Sequence, residues 1–445
     1  MAKTFRPWDI EQTWLLPPSL LDFVPGDHPA HFIRELVRES LDLSAIFDTY
    51  TEERGYPPYH PGMMTALLLY SYTQGVFSSR KIAKACQERV DFMAVTGMQK
   101  PDFRTLSKFR LRHLEALSGL FVQILGLCRE AGLATLGHVA LDGTKIKANA
   151  SKHKAMSYAR MKEAEPRLAA EVEQWMASAA REDEADDDEH GPDARGDELP
   201  SWVANKQQRL EKIREAKQAL EAEAKQEAKQ SAKDRAEGRT PTKKRRHKAN
   251  GTPKDEAQRN FTDPESRILK TSDGYIQGYN AQAAVDAQAQ VIVAHALTPE
   301  QNDVDMLVPM LDLIEDNLGE RPAEVSADTG FCSETNLRAL EERGIRGYVA
   351  TGRVQHENGK PTTQRGMTPG TYAWTMRLRL LRAGRRSRYR LRKQVVEPVF
   401  GQIKAALGFA RFLLRGTKKV AQEWALVCSA HNLRKLLAHR LALAG

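Results

Sequence analysis

The sequence predicts a mixed α/β protein with a helical N-terminal region and a long, charged, helical insertion. Three observations lead there. Residues 28 to 135 carry helical periodicity, and strand-like runs appear at 137 to 150 and alternate with helices from about 259 to 352. The stretch between them, 151 to 258, is dominated by Ala, Lys, Glu, Arg and Gln. At 445 residues the chain exceeds what one core usually serves. The expected organisation is a helical domain over 1–135, an α/β domain split into 136–150 and 259–445, and an insertion over 151–258 with flexible linkers.

Within the first part, MMTALLLYSYTQG (63–75) reads as a buried helix stopped by Gly75. SSRKIAKACQER (78–89) is a short helix that Ser78 or Ser79 can cap. Asp102 can cap one long helix over FRTLSKFRLRHLEALSGLFVQILGLCREAG. Helix, tight turn and helix with Arg80, Lys81, Arg104, Lys108 and Arg110 suit a helix-turn-helix-like DNA reader, and equally a bundle with a charged outer face. In the insertion, the segment 202–230 reads as a charged helix paired with 155–181. Its acidic run (182–198) reads as solvated linker, and its basic run KKRRHK (243–248) as a loop that touches phosphate or solvent.

The α/β part follows in order. HVALDGTKIKANA (138–150) is a strand, GYIQGYNAQAAVDA (274–287) and QVIVAHALT (290–298) are two more, and DVDMLVPMLDLIEDNLG (303–319) is a helix with Asp303 as its cap. AEVSADTGF (323–331), NLRALEERG (336–344) and IRGYVATG (345–352) read as strand, helix and strand. Asp142 and Asp328 each stand at or near the end of a strand, beside glycines that allow close approach. In RKQVVEPVFGQIKAALGFARF (392–412), Val396, Val399, Phe400, Ile403 and Leu407 form a core stripe with Glu397 at its edge and Lys393 and Lys404 on the same side. Pro398 predicts that the helix starts at Glu397 or bends there.

Lys and Arg total 67 against 58 for Asp and Glu, a net charge of +9 that favours polyanionic partners without separating nucleic acid from ribosome or membrane surface. MRLRLLRAGRRSRYRLRK (376–393) holds nine basic residues in eighteen, a density that phosphate answers. Three acids in that setting repel one another and DNA unless cations intervene. Two Mg²⁺ ions, about 3.5 to 4 Å apart and bridged by a carboxylate, would solve both problems, with Mn²⁺ a substitute. The four cysteines form no close pair, no apolar run reaches membrane-spanning length, and the N-terminus lacks a signal peptide's apolar core. The expectation is a soluble protein of a reducing cytoplasm.

Together, LDGTKIKANAS around Asp142, SADTGF around Asp328 and YRLRKQVVEPVFGQIK around Glu397 resemble the Asp-Asp-Glu (DDE) triad of bacterial insertion-sequence transposases. PGMMTALLLYSYTQGVFSSRKIAKAC with DFRTLSKFR resembles the InsH-type N-terminal domain of that group, and TDPESR, GYNAQAAVD and EWALVCSAHNLRKLL are similar to it too. The resemblance implies a ribonuclease H-like catalytic domain. It also implies metal-binding catalytic roles for Asp142, Asp328 and Glu397, and DNA contacts from cations that include Lys145, Arg390, Lys393 and Lys404. It implies action on transposon ends and target DNA as a homodimer or larger assembly, on the bacterial nucleoid, with no membrane. Relatives often carry a Tyr-Arg-Glu-Lys signature; here Lys404 matches the lysine, Lys393 stands at the arginine and Arg390 in the tyrosine slot, with Tyr389 displaced by one. The helical insertion after the first strand departs from relatives that carry a β insertion before the glutamate helix. The competing readings are a decayed or domesticated transposase that only binds DNA, and a repair or recombination nuclease of the same fold.

Overall fold

In the computed structural model, residues 23–51, 57–190, 201–236, 247–248, 250–352, 356–357, 360–361, 368–383 and 388–444 are described. The N-terminal helices are α1 (Pro29–Glu39), α2 (Ser44–Phe47), α3 (Pro61–Thr73), α4 (Ser79–Glu88), α5 (Val90–Thr96), α6 (Phe103–Arg112) and α7 (Leu114–Glu130). Pro61 is the first residue of α3, where the backbone amide would be unpaired anyway, and His60 Nδ1 accepts from Gly62 N. The helix is apolar all round because α1, α5 and the last helix of the chain pack against it. Gly75 follows it at φ +71°, and a Cβ there would sit 2.6 Å from the carbonyl oxygen of Leu407, so only glycine lets the two segments meet. The single helix expected after Asp102 is two, α6 and α7, inclined at 71°. The break is at His113, which leaves helical geometry and meets Tyr50 Oη through Nε2. Asp102 does cap α6, accepting from the amides of Arg104 and Thr105.

The sheet begins with β1 (Val139–Lys147). After it the chain leaves through β2 (Ala155–Ser157) into α8 (Tyr158–His190) and α9 (Ser201–Ala236), then returns through β3 (Gln258–Asn260), which pairs antiparallel with β2. The two helices bury their own apolar seam of Met161, Leu168, Leu210, Ile213 and Leu220. Glu223 binds both Arg259 and Arg267, tying the hairpin to the strands at its root. Of the two charged runs in the insertion, 191–198 and 243–246 lie outside the described residues.

The sheet resumes with β4 (Arg267–Thr271), β5 (Gly274–Asp286) and β6 (Ile292–Thr298). Next come α10 (Leu307–Leu318), β7 (Glu324–Ala327), α11 (Glu334–Glu342), β8 (Arg346–Val349), α12 (Tyr372–Ala383), α13 (Leu391–Gly401) and α14 (Thr417–Ala444). The strand order is β4-β5-β1-β7-β8, with β6 also on β5. β1, β5 and β6 are antiparallel neighbours, whereas β7 joins β1 in parallel and β8 joins β7 in parallel. This is the mixed α/β arrangement the alternating sequence calls for. Among the described residues no single helix is long and apolar enough to cross a membrane.

The buried side chains of the N-terminal helices, the sheet, α13 and α14 form one continuous core, with Trp424 of α14 donating to the carbonyl of Gln282 in β5. Beside it, Glu423 is buried and accepts from the amides of Leu413 and Leu414. Burial pushes its carboxyl from 4.5 up to about 7, against the pull of those amides and of Arg110. The folded chain therefore takes up a proton that the unfolded chain releases. Stability falls as pH rises from 4.5 through about 7, by on the order of 3 kcal/mol. In Glu423→Gln this part of the slope is absent, as urea unfolding at pH 5 and pH 8 will show; an unchanged slope refutes it.

Candidate active site

Asp142 lies within β1, and Asp328 follows the last residue of β7. The parallel register pairs Leu141 with Ala327, so the next residue on each strand is one of the two acids. Adjacent strands run about 4.8 Å apart, so the pairing alone sets the acids side by side at one level of the sheet. Asp142 Oδ1 accepts from Gly143 N, and Asp328 Oδ1 from Gly330 N. Burial raises the Asp142 carboxyl to about 6; Arg392 lowers it, while Asp328 and Asp303 push it further up.

Glu397 comes from α13. The helix starts at Leu391 and runs through Pro398, so it does not start at Glu397. The stripe expected to face inward does: Val396, Val399, Phe400, Ile403 and Leu407 are all buried. Pro398 cannot donate to the carbonyl of Gln394, one turn back. That carbonyl accepts instead from the side chain of Gln290, at 3.0 Å. Gln290 occupies the β5–β6 turn at φ +60°, accepts from Lys435 through Oε1, and binds His431 Nε2 through its carbonyl. After Gly401 the chain winds as a π-helix, Gln402–Ala406, where Lys404 Nζ donates to the carbonyl of Lys145 on β1 at 2.9 Å. At its other end, Arg388 pairs with Glu324 at the start of β7. The helix bearing the glutamate is thus tied to the sheet at both ends.

Arg392 joins the first and third acids. Its Nη1 donates to Asp142 Oδ2 at 2.6 Å and its Nη2 to Glu397 Oε1 at 3.1 Å. Lys393, which spacing puts on the same side as Glu397, is exposed; the arginine one position earlier is the one that turns inward. A fourth acid, Asp303, also belongs here. It makes no cap for α10, which begins only at Leu307 after a 3₁₀ turn. Its carboxylate accepts from Asn280 Nδ2 at 2.7 Å and Gln282 Nε2 at 2.5 Å. Both amides lie on β5, two residues apart and so on one face, a polar alternation in GYNAQAA that could have signalled the site.

The chain matches two family models. One, described as a transposase domain (DUF772), covers residues 18–112; the other, described as a transposase DDE domain, covers residues 251–433. The chain thus carries the two domains of an insertion-sequence DDE transposase. Asp328 and Glu397 fall inside the DDE match, while Asp142 precedes it on the far side of the insertion. The chain is similar to a putative transposase for insertion sequence element IS402 from Burkholderia cepacia, 33% identical over 111 residues. That match spans 24% of this chain and 52% of the relative, about half its length. No solved structure matches.

Transposases of this family use divalent metal ions, and the donor set fits one: carboxylate oxygens are the hard ligands such ions prefer. Among the described residues no three His, Cys, Asp or Glu side chains converge on a single point. Arg392 instead holds the place of a cation between Asp142 and Glu397, and its Nε is buried without a partner. An ion there must displace the guanidinium from Asp142.

The other cations divide. Arg80, Lys81, Arg104 and Lys108 are exposed on α4 and α6, with Arg80 and Arg104 both over the ring of Phe103. Arg390 and Lys393 are exposed, and Lys145 is half-buried near Asp303. Arg110 is a correction. It is buried, donating to Tyr72 Oη and to the carbonyl of Phe77, because it lies on the inner face of α6 with Leu106 and Phe109. Lys404 too is half-buried and spent on the Lys145 carbonyl.

If Gln290 satisfies the carbonyl that Pro398 orphans, Gln290→Ala should cost about 1–3 kcal/mol. Gln290→Gly should cost nearly as much, although it relieves the left-handed backbone. Urea unfolding compares them, and a glycine variant as stable as the parent would refute the account.

Proposed function

We propose that this transposase cuts DNA at the ends of its mobile element and joins the freed 3′-hydroxyls to target DNA, with Asp142, Asp328 and Glu397 holding two Mg²⁺ ions. The observation that carries the reading is how acids from distant parts of the chain are linked: Asp142 and Asp328 stand level where the parallel strands β1 and β7 pair, and Glu397 is joined to Asp142 through Arg392. We read the sheet as ribonuclease H-like, since the β6-β5-β1 antiparallel trio is followed by parallel β7 and β8 with helices between.

Bound at these carboxylates, the metal would supply an activated water or 3′-hydroxyl and charge stabilisation at the leaving oxygen. The chain's own groups do the rest. Asp142, whose burial favours its protonated form, gives up that proton as its charge is answered. Arg392, released from Asp142, becomes a free guanidinium beside the scissile phosphate, with a planar fork suited to it. Lys145, Arg390 and Lys393 lie next to the acids in sequence or space and hold the DNA backbone. Arg80, Lys81, Arg104 and Lys108 present a basic face on α4 and α6 for the element's ends. Paired ends require two active sites, so we read the working form as a homodimer on DNA, on the nucleoid of a bacterial cell.

Asp142→Ala, Asp328→Ala and Glu397→Ala should each abolish cleavage of end-containing DNA with Mg²⁺, by at least about a thousandfold, while affinity for the same DNA persists. Retained cleavage in all three purified variants overturns the assignment. Removing one phosphate-binding cation, as in Arg104→Ala, should weaken binding evenly across sequences and lower the slope of log affinity against log salt by roughly one unit.

A further inference from the structure

Asp303 stands outside the triad, in the segment between β6 and α10. Along β1 successive side chains point to opposite faces. Asp142 meets Arg392 on the α13 face, and the position of Gly143 points to the other. A Cβ on Gly143 would lie 2.6 Å from Asp303 Oδ1 and 2.7 Å from Asn280 Oδ1, and one on Gly330 would lie 3.1 Å from Asp303 Oδ2. The carboxylate is therefore pressed against the backbone of the residue after Asp142 and of the loop after Asp328.

Its immediate hydrogen-bond partners are neutral. Asn280 and Gln282 are fully buried, each giving an N–H to Asp303, and the amide oxygen of each is buried without a partner. Burial raises the Asp303 carboxyl, and the two amides and Lys145 lower it. Two orphaned amide oxygens and a carboxylate beneath three more acids concentrate negative potential in one place. A fold that needed only to fill this space could do so with an amide, at less desolvation cost.

We propose that Asp303 is a fourth carboxylate of the site, a positioning residue that strengthens divalent-cation binding by its charge, across the side-chain-free backbone of Gly143 and Gly330, without being a ligand. This rests on the reading of Asp142, Asp328 and Glu397 as the ligands. The charge acts over a short path of low polarizability, where Coulomb interactions are weakly screened. Its effect must grow with the charge of the ion, which a packing role would not produce.

The test is calorimetric titration of Mn²⁺ and of Tb³⁺ into the full-length chain and into Asp303→Asn and Asp142→Asn. Asp303→Asn should bind Mn²⁺ about tenfold more weakly and Tb³⁺ about thirtyfold more weakly, since the energy scales with ion charge. It should still unfold in one cooperative thermal transition, and its DNA affinity in the absence of divalent ions should not fall below the parent's. Unchanged Mn²⁺ affinity, or equal losses for the two ions, overturns the proposal. If the parent binds no Mn²⁺, or Asp142→Asn binds it as well as the parent, the reading of the triad fails first and takes this proposal with it. Should Asp303→Asn not fold, Asp303→Ser carries the same expectations.

Discussion

The parallel pairing of β1 with β7 is the constraint on which the site depends. Three register pairs, from Val139 with Val325 to Leu141 with Ala327, are all buried or nearly so, and they leave the chain no choice but to set Asp142 and Asp328 next to each other. Two ionised carboxylates that close are unfavourable, the more so in a half-buried position, and burial already lifts Asp142 to about 6. The apolar pairing energy of the strand centres holds the charged ends together against their repulsion. A repulsion built into the backbone register is not relieved by rotating a side chain, so it has to be answered by a cation.

Holding Glu397 in range is a separate problem, which the chain solves by backbone accounting. A proline one residue beyond the glutamate removes a helical hydrogen bond, and in an isolated helix it would leave the carbonyl of Gln394 unpaired. Gln290 supplies the missing donor from a β-turn, so the irregularity becomes a crosslink between α13 and the β5–β6 hairpin. The π-helical stretch after Gly401 makes another, through Lys404 and the Lys145 carbonyl. An all-regular helix would have satisfied itself and would have had no reason to grip the sheet at these points. Irregularity is what fixes the height of Glu397 relative to β1.

Much of this was legible in the sequence, and the losses have physical causes. Strands showed because Val, Ala and Ile runs end in turn residues, and the acids at their ends stood out against apolar neighbours. Arg392 was missed in favour of Lys393 because a helix turns about 100° per residue; a one-position shift decides which cation faces β1, and with Pro398 nearby the phase could not be read from spacing. Arg110 looked like its exposed neighbours, yet it follows Phe109 onto the inner face, where Tyr72 and the Phe77 carbonyl accept from it. The break at His113 has no Gly or Pro to announce it; the tertiary contact with Tyr50 accompanies it. Asp303 read as a cap because an Asp before an apolar helix usually is one, and only the sheet reveals that Asn280 and Gln282 face it.

Electrostatics separates the surface of this chain from its centre. The chain as a whole is at +9, yet at the site Arg392 pairs with Asp142 and Glu397, while Asp328 adjoins Asp142 and Asp303 lies across the Gly143 backbone with Lys145 near it. A polyanion drawn in by the basic exterior meets net negative charge at the point where chemistry would occur. A monovalent guanidinium pairs two of the acids but cannot neutralise the group, and it occupies the space while doing so. A divalent ion would bring twice the charge at smaller radius, and on the proposed reading it would displace Arg392 from Asp142 and free the guanidinium for phosphate. Charge segregation of this kind would couple cation binding to DNA binding, since each would lower the electrostatic cost of the other.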